Sequence, residues 1–194
     1  PAYRSMLLSE GSSRSLELAL SRLVEDWSFR VWGIEAPSVH ELSSAGSTGS
    51  DSFPALVDHL VARYGQNVGK PDAEVWVDHT PGNMRRAAAL NGMFPEARLI
   101  HLIRDGRAVA SSVKPLDWGP NTAGAAARWW VDGVAMGFAA GEFFGKRSIS
   151  VRFEDLVLEP DVWMKLICEF LELEYEPGMV SGSGFQIPRY TRQQ

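Results

Sequence analysis

One cysteine, Cys168, stands in 194 residues. No internal disulfide can form, and no thiolate cage for a metal can be built. Cys168 falls in an apolar stretch of helical periodicity, which points to a packed core thiol. Long uncharged apolar runs are also missing. The best candidate for a membrane span, residues 123–144, carries Arg128, Asp132 and Glu142, which excludes an ordinary transmembrane helix. Residues 1–15 lack the apolar core of a secretory leader, and with the solitary cysteine this favours a cytoplasmic protein. Positive charge is not in excess: 19 Lys and Arg against 24 Asp and Glu leave a net charge of −5, so a nucleic-acid partner is not expected. No Walker lysine motif occurs, which sets aside a P-loop kinase. No His/Cys/Asp cluster has metal-ligand spacing, so no metal is expected.

What is present suits a globular domain spanning residues 1–194: 45% hydrophobic and 22% charged residues are enough to build a core and solvate its surface. Residues 3–8 end in the apolar run Met6-Leu-Leu8 and suit a strand, followed by a turn at 9–13. Leu16, Ala19, Leu20, Leu23, Val24 and Trp27 fall at helical spacing, so 14–30 reads as an amphipathic helix. The Ser/Gly-rich stretch 43–50 reads as a loop, and 53–64 as a helix with Pro54 in its first turn. A strand is expected over 74–78, a turn at 79–83 and a helix to about Met93. The apolar run 98–103 predicts a strand buried on both faces of a parallel sheet. A turn and helix start follow at 104–112, then a helix over 122–144, a strand over 148–152 and a helix over 160–171, with Val162, Leu166, Ile167 and Phe170 on one side. Alternating strands and helices imply a three-layer α/β domain, a parallel sheet flanked by helices. Gly133, Gly137 and Gly141 form a ridge without side chains in the long helix, suited to close packing.

Ligands in such sheets lie at the carboxyl ends of strands. Three polar constellations fall there, at 9–15, 78–83 and 104–112. On a helix beginning near Asp105, Arg104 and Arg107 can converge with the hydroxyl of Ser111 or Ser112, and the first-turn amides add further donors. Guanidinium groups, a hydroxyl and a helix amino end suit a dianionic phosphate. The same segment also suits a surface ion pair between an arginine and Asp105. Gly11-Ser-Ser-Arg14-Ser15 offers a glycine turn and a fixed charge to an anion, or simply a capped helix start.

The run Phe-Pro-Glu-Ala-Arg-Leu-Ile-His-Leu-Ile-Arg-Asp-Gly-Arg-Ala-Val-Ala-Ser-Ser (94–112) resembles the 3′-phosphate segment of sulfotransferases that use 3′-phosphoadenosine 5′-phosphosulfate (PAPS), most nearly the bacterial and tyrosylprotein-type branch. Trp-Val-Asp-His-Thr-Pro-Gly-Asn (76–83) resembles the family's Lys-Thr-Pro strand end. Val-Arg-Phe-Glu-Asp-Leu-Val-Leu-Glu-Pro (151–160) and Leu-Ile-Cys-Glu-Phe-Leu-Glu-Leu (166–173) resemble its last strand and helix. The likeness is good over 76–179 and fainter before.

The resemblance implies the P-loop-like sulfotransferase fold and transfer of a sulfuryl group from PAPS to an acceptor hydroxyl or amine, releasing 3′,5′-ADP, without a metal. It assigns the 3′-phosphate to Arg104 and Ser112. Arg107 either joins them or pairs with Asp105. Gly11, Arg14 and Ser15 match the first half of the family's phosphosulfate loop, whereas Leu16-Glu-Leu18 stands where Gly-Thr-Thr is usual. That departure keeps a second reading open, a catalytically weak or dead nucleotide-binding module. His79 stands at the place of the family's lysine, positioned to stabilise charge on the bridging oxygen, or else braces its turn. Glu35, in Trp32-Gly-Ile-Glu35, lies where the tyrosylprotein branch has its base, and a solvated loop carboxylate is the alternative. His101, inside the strand, reads as a core histidine. The segment 185–192 resembles one near the family's closing loop. The chain ends soon after it, so some nucleotide contacts are expected to be missing. The acceptor is not legible, and Trp129 and Trp130 suit either its cleft or the core.

Overall fold

The computed structural model describes Gly33, residues 53–116 and residues 119–181. The chain divides into two compact units, Pro1–His79 with Gln193–Gln194, and Thr80–Arg192.

In the first unit, α1 (Phe53–Asn67) buries Leu56 and Leu60, one turn apart on one face. It runs past the expected end at residue 64 because its stop signal lies further on. Gly69 adopts a left-handed φ of 75°, the Lys70 amide donates to the Gly65 carbonyl and the Gly69 amide to Gln66. This pair of bonds is a Schellman close, which glycine allows without a Cβ penalty. The strand expected over 74–78 is not observed. Residues 73–80 have no regular structure, and Val75, Trp76 and Val77 are exposed. Apolar residues alone do not make a strand, and this segment joins no sheet among the described residues.

The second unit begins with a 3₁₀ helix, Pro81–Arg86, with Pro81 at its first position, and continues into α2 (Ala87–Met93). Strand β1 (Leu99–Ile103) runs into α3 (Gly106–Val113) and then α4 (Ala123–Phe144). Thr122 caps α4 by accepting the Ala125 amide, and Gly145 ends it at a φ of 54°. A 3₁₀ turn, Gly145–Arg147, leads to β2 (Ser148–Arg152), which pairs in parallel with β1 from Leu99↔Ser148 to Ile103↔Arg152. Helices α5 (Phe153–Leu158), α6 (Pro160–Leu171) and α7 (Gly178–Ser181) follow. A parallel pair needs a crossover, and α3 with α4 supplies it. The α/β class with a parallel sheet, expected from the sequence, is what forms.

One hydrophobic cluster of this unit joins Ala87, Ala140 and Phe144 to Met84, Leu90, Ala97 and Leu99. Arg147 locks its edge, donating to the Ala97 carbonyl at 2.6 Å and to the Asn91 side chain while its guanidinium lies over Phe144. Arg98 does the same at the other end, reaching the Phe170 carbonyl and the Glu172 carboxylate. On α6 the buried stripe is turned from the one expected: Ile167 and Cys168 are inside, whereas Val162 and Leu166 are exposed. Cys168 is the buried thiol the sequence suggests, 3.7 Å from the Met179 sulfur.

Strand β1 alternates and is not buried throughout. His101 is 6% exposed, whereas Ile100 and Leu102 are 37% and 50% exposed. The His101 face lies under α4. Its ring meets Phe138 edge-on at 5.2 Å and lies directly on Gly137, while the Ser148 hydroxyl lies against Gly141. Gly133 has nothing within 4 Å of where a Cβ would stand, so two of the three ridge glycines serve close packing and the third does not.

His101 is the core histidine expected, but its Nδ1 has no hydrogen-bond partner. Burial pushes its pKa below the ordinary value of 6.5. The native ring therefore stays neutral where the unfolded one takes up a proton, so the unfolded state binds more protons below about pH 6.5. Stability is expected to fall as pH drops through 6.5, levelling only below the lowered native pKa. Urea midpoints between pH 8 and pH 5 test this. The fall should be visibly shallower in His101→Leu, and an equal slope in both proteins would rule the effect out.

Candidate functional site

The carboxyl end of β1 is where the polar segment 104–112 begins. Arg104 leaves the strand with an exposed side chain, its guanidinium 4.9 Å above the Phe153 ring. Asp105 is the cap of α3. Its Oδ1 accepts the Arg107 amide at 2.8 Å, which fixes where the helix starts. Arg107 folds back on the same carboxylate, with Nε at 3.0 Å from Oδ1 and its terminal nitrogen at 2.7 Å from Oδ2. The side-chain hydrogen bond from Arg107, then its amide, hold the Asp105 carboxyl well below the usual range, and Asp105 in turn raises the Arg107 pKa. Of the two alternatives open for Arg107, the structure takes the ion pair.

A second carboxylate closes on the same turn. Glu154, at the start of α5, accepts the Asp105 amide at 2.8 Å, and this bond lowers its pKa. The first amides of α3 were expected to be free donors for an anion. Two carboxylates claim the Asp105 and Arg107 amides, because a capping aspartate and a neighbouring glutamate satisfy donors that a phosphate would seek. Side chains add further donors for an anion. No carboxylate pairs with Arg104 among the described residues, and Ser111 and Ser112 are both exposed on α3. A guanidinium and a hydroxyl fit a dianionic phosphate in charge and hydrogen-bonding type.

The turn is braced from a third direction. Trp130, in the second turn of α4, donates its indole N–H to the Arg104 carbonyl at 2.8 Å. Its six-membered ring lies on Gly106, where a Cβ would come within 2.9 Å of Cδ2. The sequence does not divide Trp129 from Trp130 and gives Phe153 and Glu154 no role. The resemblance of 151–160 to a family segment was the one signal that pointed to them.

The other expected site residues divide by place. His79 is exposed, in the irregular segment that ends the first unit. Gly11, Arg14, Ser15 and Glu35 lie outside the described residues. No group of three or more His, Cys, Asp or Glu among the described residues is arranged to hold a metal ion, and no described helix is long and apolar enough to cross a membrane.

Comparison with known proteins covers most of the chain. Protein-tyrosine sulfotransferase A of Caenorhabditis elegans is 24% identical over 154 residues, covering 75% of this chain and 39% of that protein. The chain thus spans about two-fifths of the length of this curated relative. No solved structure matches. The model of the sulfotransferase family matches residues 17–177, which include β1, the Arg104 turn, β2 and α6 but not residues 11–15. A match of that extent shows it: the chain belongs to the sulfotransferase family.

Proposed function

We propose that this chain transfers a sulfuryl group from PAPS to the hydroxyl or amine of an acceptor, releasing 3′,5′-ADP. The observation that carries the reading is Arg104 at the tip of β1. It is exposed and unpaired among the described residues, on the strand that enters the Ser112 helix, in a chain of the sulfotransferase family. Arg107, by contrast, is neutralised by Asp105, so Arg104 and Ser112 are the proposed 3′-phosphate ligands.

PAPS supplies an activated sulfuryl group whose bond to the 5′-phosphate oxygen breaks as the acceptor oxygen or nitrogen bonds to sulfur. The protein's task is positioning and charge stabilisation, as in phosphoryl transfer. Gly11, Arg14 and Ser15 are proposed to hold the 5′-phosphosulfate by amides, a guanidinium and a hydroxyl. His79 is proposed to donate a hydrogen bond to the bridging oxygen as it gains charge, and Glu35 to take the acceptor's proton. These roles rest on the resemblance of the segments that carry them. A protein tyrosine hydroxyl, the acceptor named for the C. elegans relative, is the first to assay.

The test is transfer of radiolabelled sulfate from PAPS to a tyrosine peptide and to small phenols and amines, with 3′,5′-ADP binding followed by calorimetry. Transfer supports the enzyme. Binding without transfer to any acceptor supports the nucleotide-binding module that Leu16-Glu-Leu18 suggests, and absence of both removes the assignment. Within the enzyme reading, Arg14→Ala is expected to abolish transfer while leaving 3′,5′-ADP binding partly intact. Unchanged turnover would take the amino-terminal loop out of the site.

A further inference from the structure

We infer that Trp130 is a positioning residue for the 3′-phosphate ligand: its indole clamps the Arg104–Gly106 turn from α4 and so sets where the Arg104 guanidinium stands. The inference rests on the proposed role of Arg104.

The geometry is specific to this one side chain. A tryptophan N–H is a donor without acceptor capacity, and here it is spent on the carbonyl of Arg104 itself, at 2.8 Å. That bond fixes the peptide plane between the arginine and the capping aspartate. The ring below excludes any side chain at 106, since a Cβ there would stand 2.9 Å from Cδ2 and 3.2 Å from Cε2 and Cε3. The opposite support comes from α5, where Phe153 lies under the guanidinium and Glu154 holds the Asp105 amide. Three consecutive residues, 104 to 106, are thus gripped from two helices by residues that lie 26 and 49 positions further along the chain. The cap bond from Asp105 to Arg107 then passes the same constraint into α3, which carries Ser112. A guanidinium fork recognises phosphate only in a narrow set of orientations, so the rigidity of its backbone is part of the affinity. Trp130 is not among the residues of the buried Ala87, Ala140 and Phe144 cluster.

Trp130→Phe keeps the ring body and removes the N–H. Trp130→Ala removes both. The readout is the ratio of dissociation constants for adenosine 5′-monophosphate and adenosine 3′,5′-bisphosphate, because only the second ligand meets Arg104. Wild-type protein is expected to prefer the bisphosphate. Trp130→Phe should lower that preference by roughly threefold to tenfold, the usual worth of one net hydrogen bond, with Trp130→Ala lowering it further and monophosphate affinity unchanged in both. In an Arg104→Ala background the Trp130→Phe change should have no further effect, since residues that act through one another do not add. A general loss of structure would weaken both ligands alike and would count against positioning. A wild-type preference that survives in Trp130→Phe overturns the inference and leaves the function standing. If wild-type protein shows no preference for the bisphosphate, the phosphate role of Arg104 fails, and the inference goes with it.

Discussion

Arg104→Ala is expected to weaken binding of adenosine 3′,5′-bisphosphate by about a hundredfold, the scale of two charge-assisted hydrogen bonds to one phosphate. Adenosine 5′-monophosphate, which lacks the 3′-phosphate, should bind as before. Ser112→Ala, which removes one neutral donor, should show a loss of roughly threefold to tenfold. Arg104→Lys should fall between wild type and alanine, because a lysine keeps the charge but not the planar fork. The structure makes these variants readable. The Arg104 side chain is exposed, and its recorded contact is the Phe153 ring, so its removal leaves the Asp105 cap and the Glu154 bond in place. The neighbouring arginine is the internal control. Arg107 already satisfies Asp105 through two side-chain hydrogen bonds, and Arg107→Ala should change nucleotide affinity far less than Arg104→Ala. Calorimetry on the four variants decides it. Equal losses from Arg104→Ala and Arg107→Ala, or none from Arg104→Ala, would detach the 3′-phosphate from this turn.

Much of this turn could be read from residue order alone. The apolar run ending in Arg-Asp-Gly-Arg says that a strand stops at 103 and that a helix begins near Asp105, and both hold. The 148–152 strand and the 160–171 helix also fall where period and Pro160 put them. What the order of residues does not contain is the identity of partners far along the chain. Nothing local distinguishes Trp129 from Trp130. Only the 100° step between them on α4 turns one indole to the Arg104 carbonyl and leaves the other 44% exposed. The carboxylate of Glu154 is likewise invisible to a reading that asks which amides of a helix are free, since it arrives from 49 residues away. The segment 74–78 misled for the opposite reason. Its composition suits a strand, yet a strand is defined by a neighbour, and none is recorded for it in the described sheet. The expected loop and base at 11–15 and at Glu35 lie outside the described residues.

The glycine ridge of α4 gives the sharpest contrast between sequence and structure, and with it the second large effect. Gly133, Gly137 and Gly141 look equivalent at a spacing of four. A Cβ at 137, however, would stand 2.5 Å from Cδ2 of His101 and nearer still to Nε2 and Cε1, which no side-chain packing tolerates. The obstacle is not the loose end of a long side chain but a whole ring, 6% exposed, on β1 and met edge-on by Phe138. Gly137→Ala must therefore push α4 off β1 or drive the ring from its rotamer. Overpacking of this kind costs about 1–3 kcal/mol, against a helix-propensity gain for alanine of about 1 kcal/mol. The clash involves the full edge of the ring, so the net result is expected to be a clear fall in the urea midpoint. Gly133→Ala, with nothing within 4 Å of the new Cβ, should keep the propensity gain and raise the midpoint. A double-mutant cycle isolates the cause: His101→Ala opens the space that the new methyl enters, so the two changes together should be less damaging than their sum by about 1 kcal/mol or more. The same displacement reaches the site. α4 carries both Gly137 and Trp130, and β1 carries His101 and leads directly into Arg104, so a helix forced away from the strand at one contact loosens the indole clamp at the other. Gly137→Ala should accordingly lose preference for the 3′-phosphate as well as stability, while Gly133→Ala, on the same ridge one turn nearer Trp130, should lose neither.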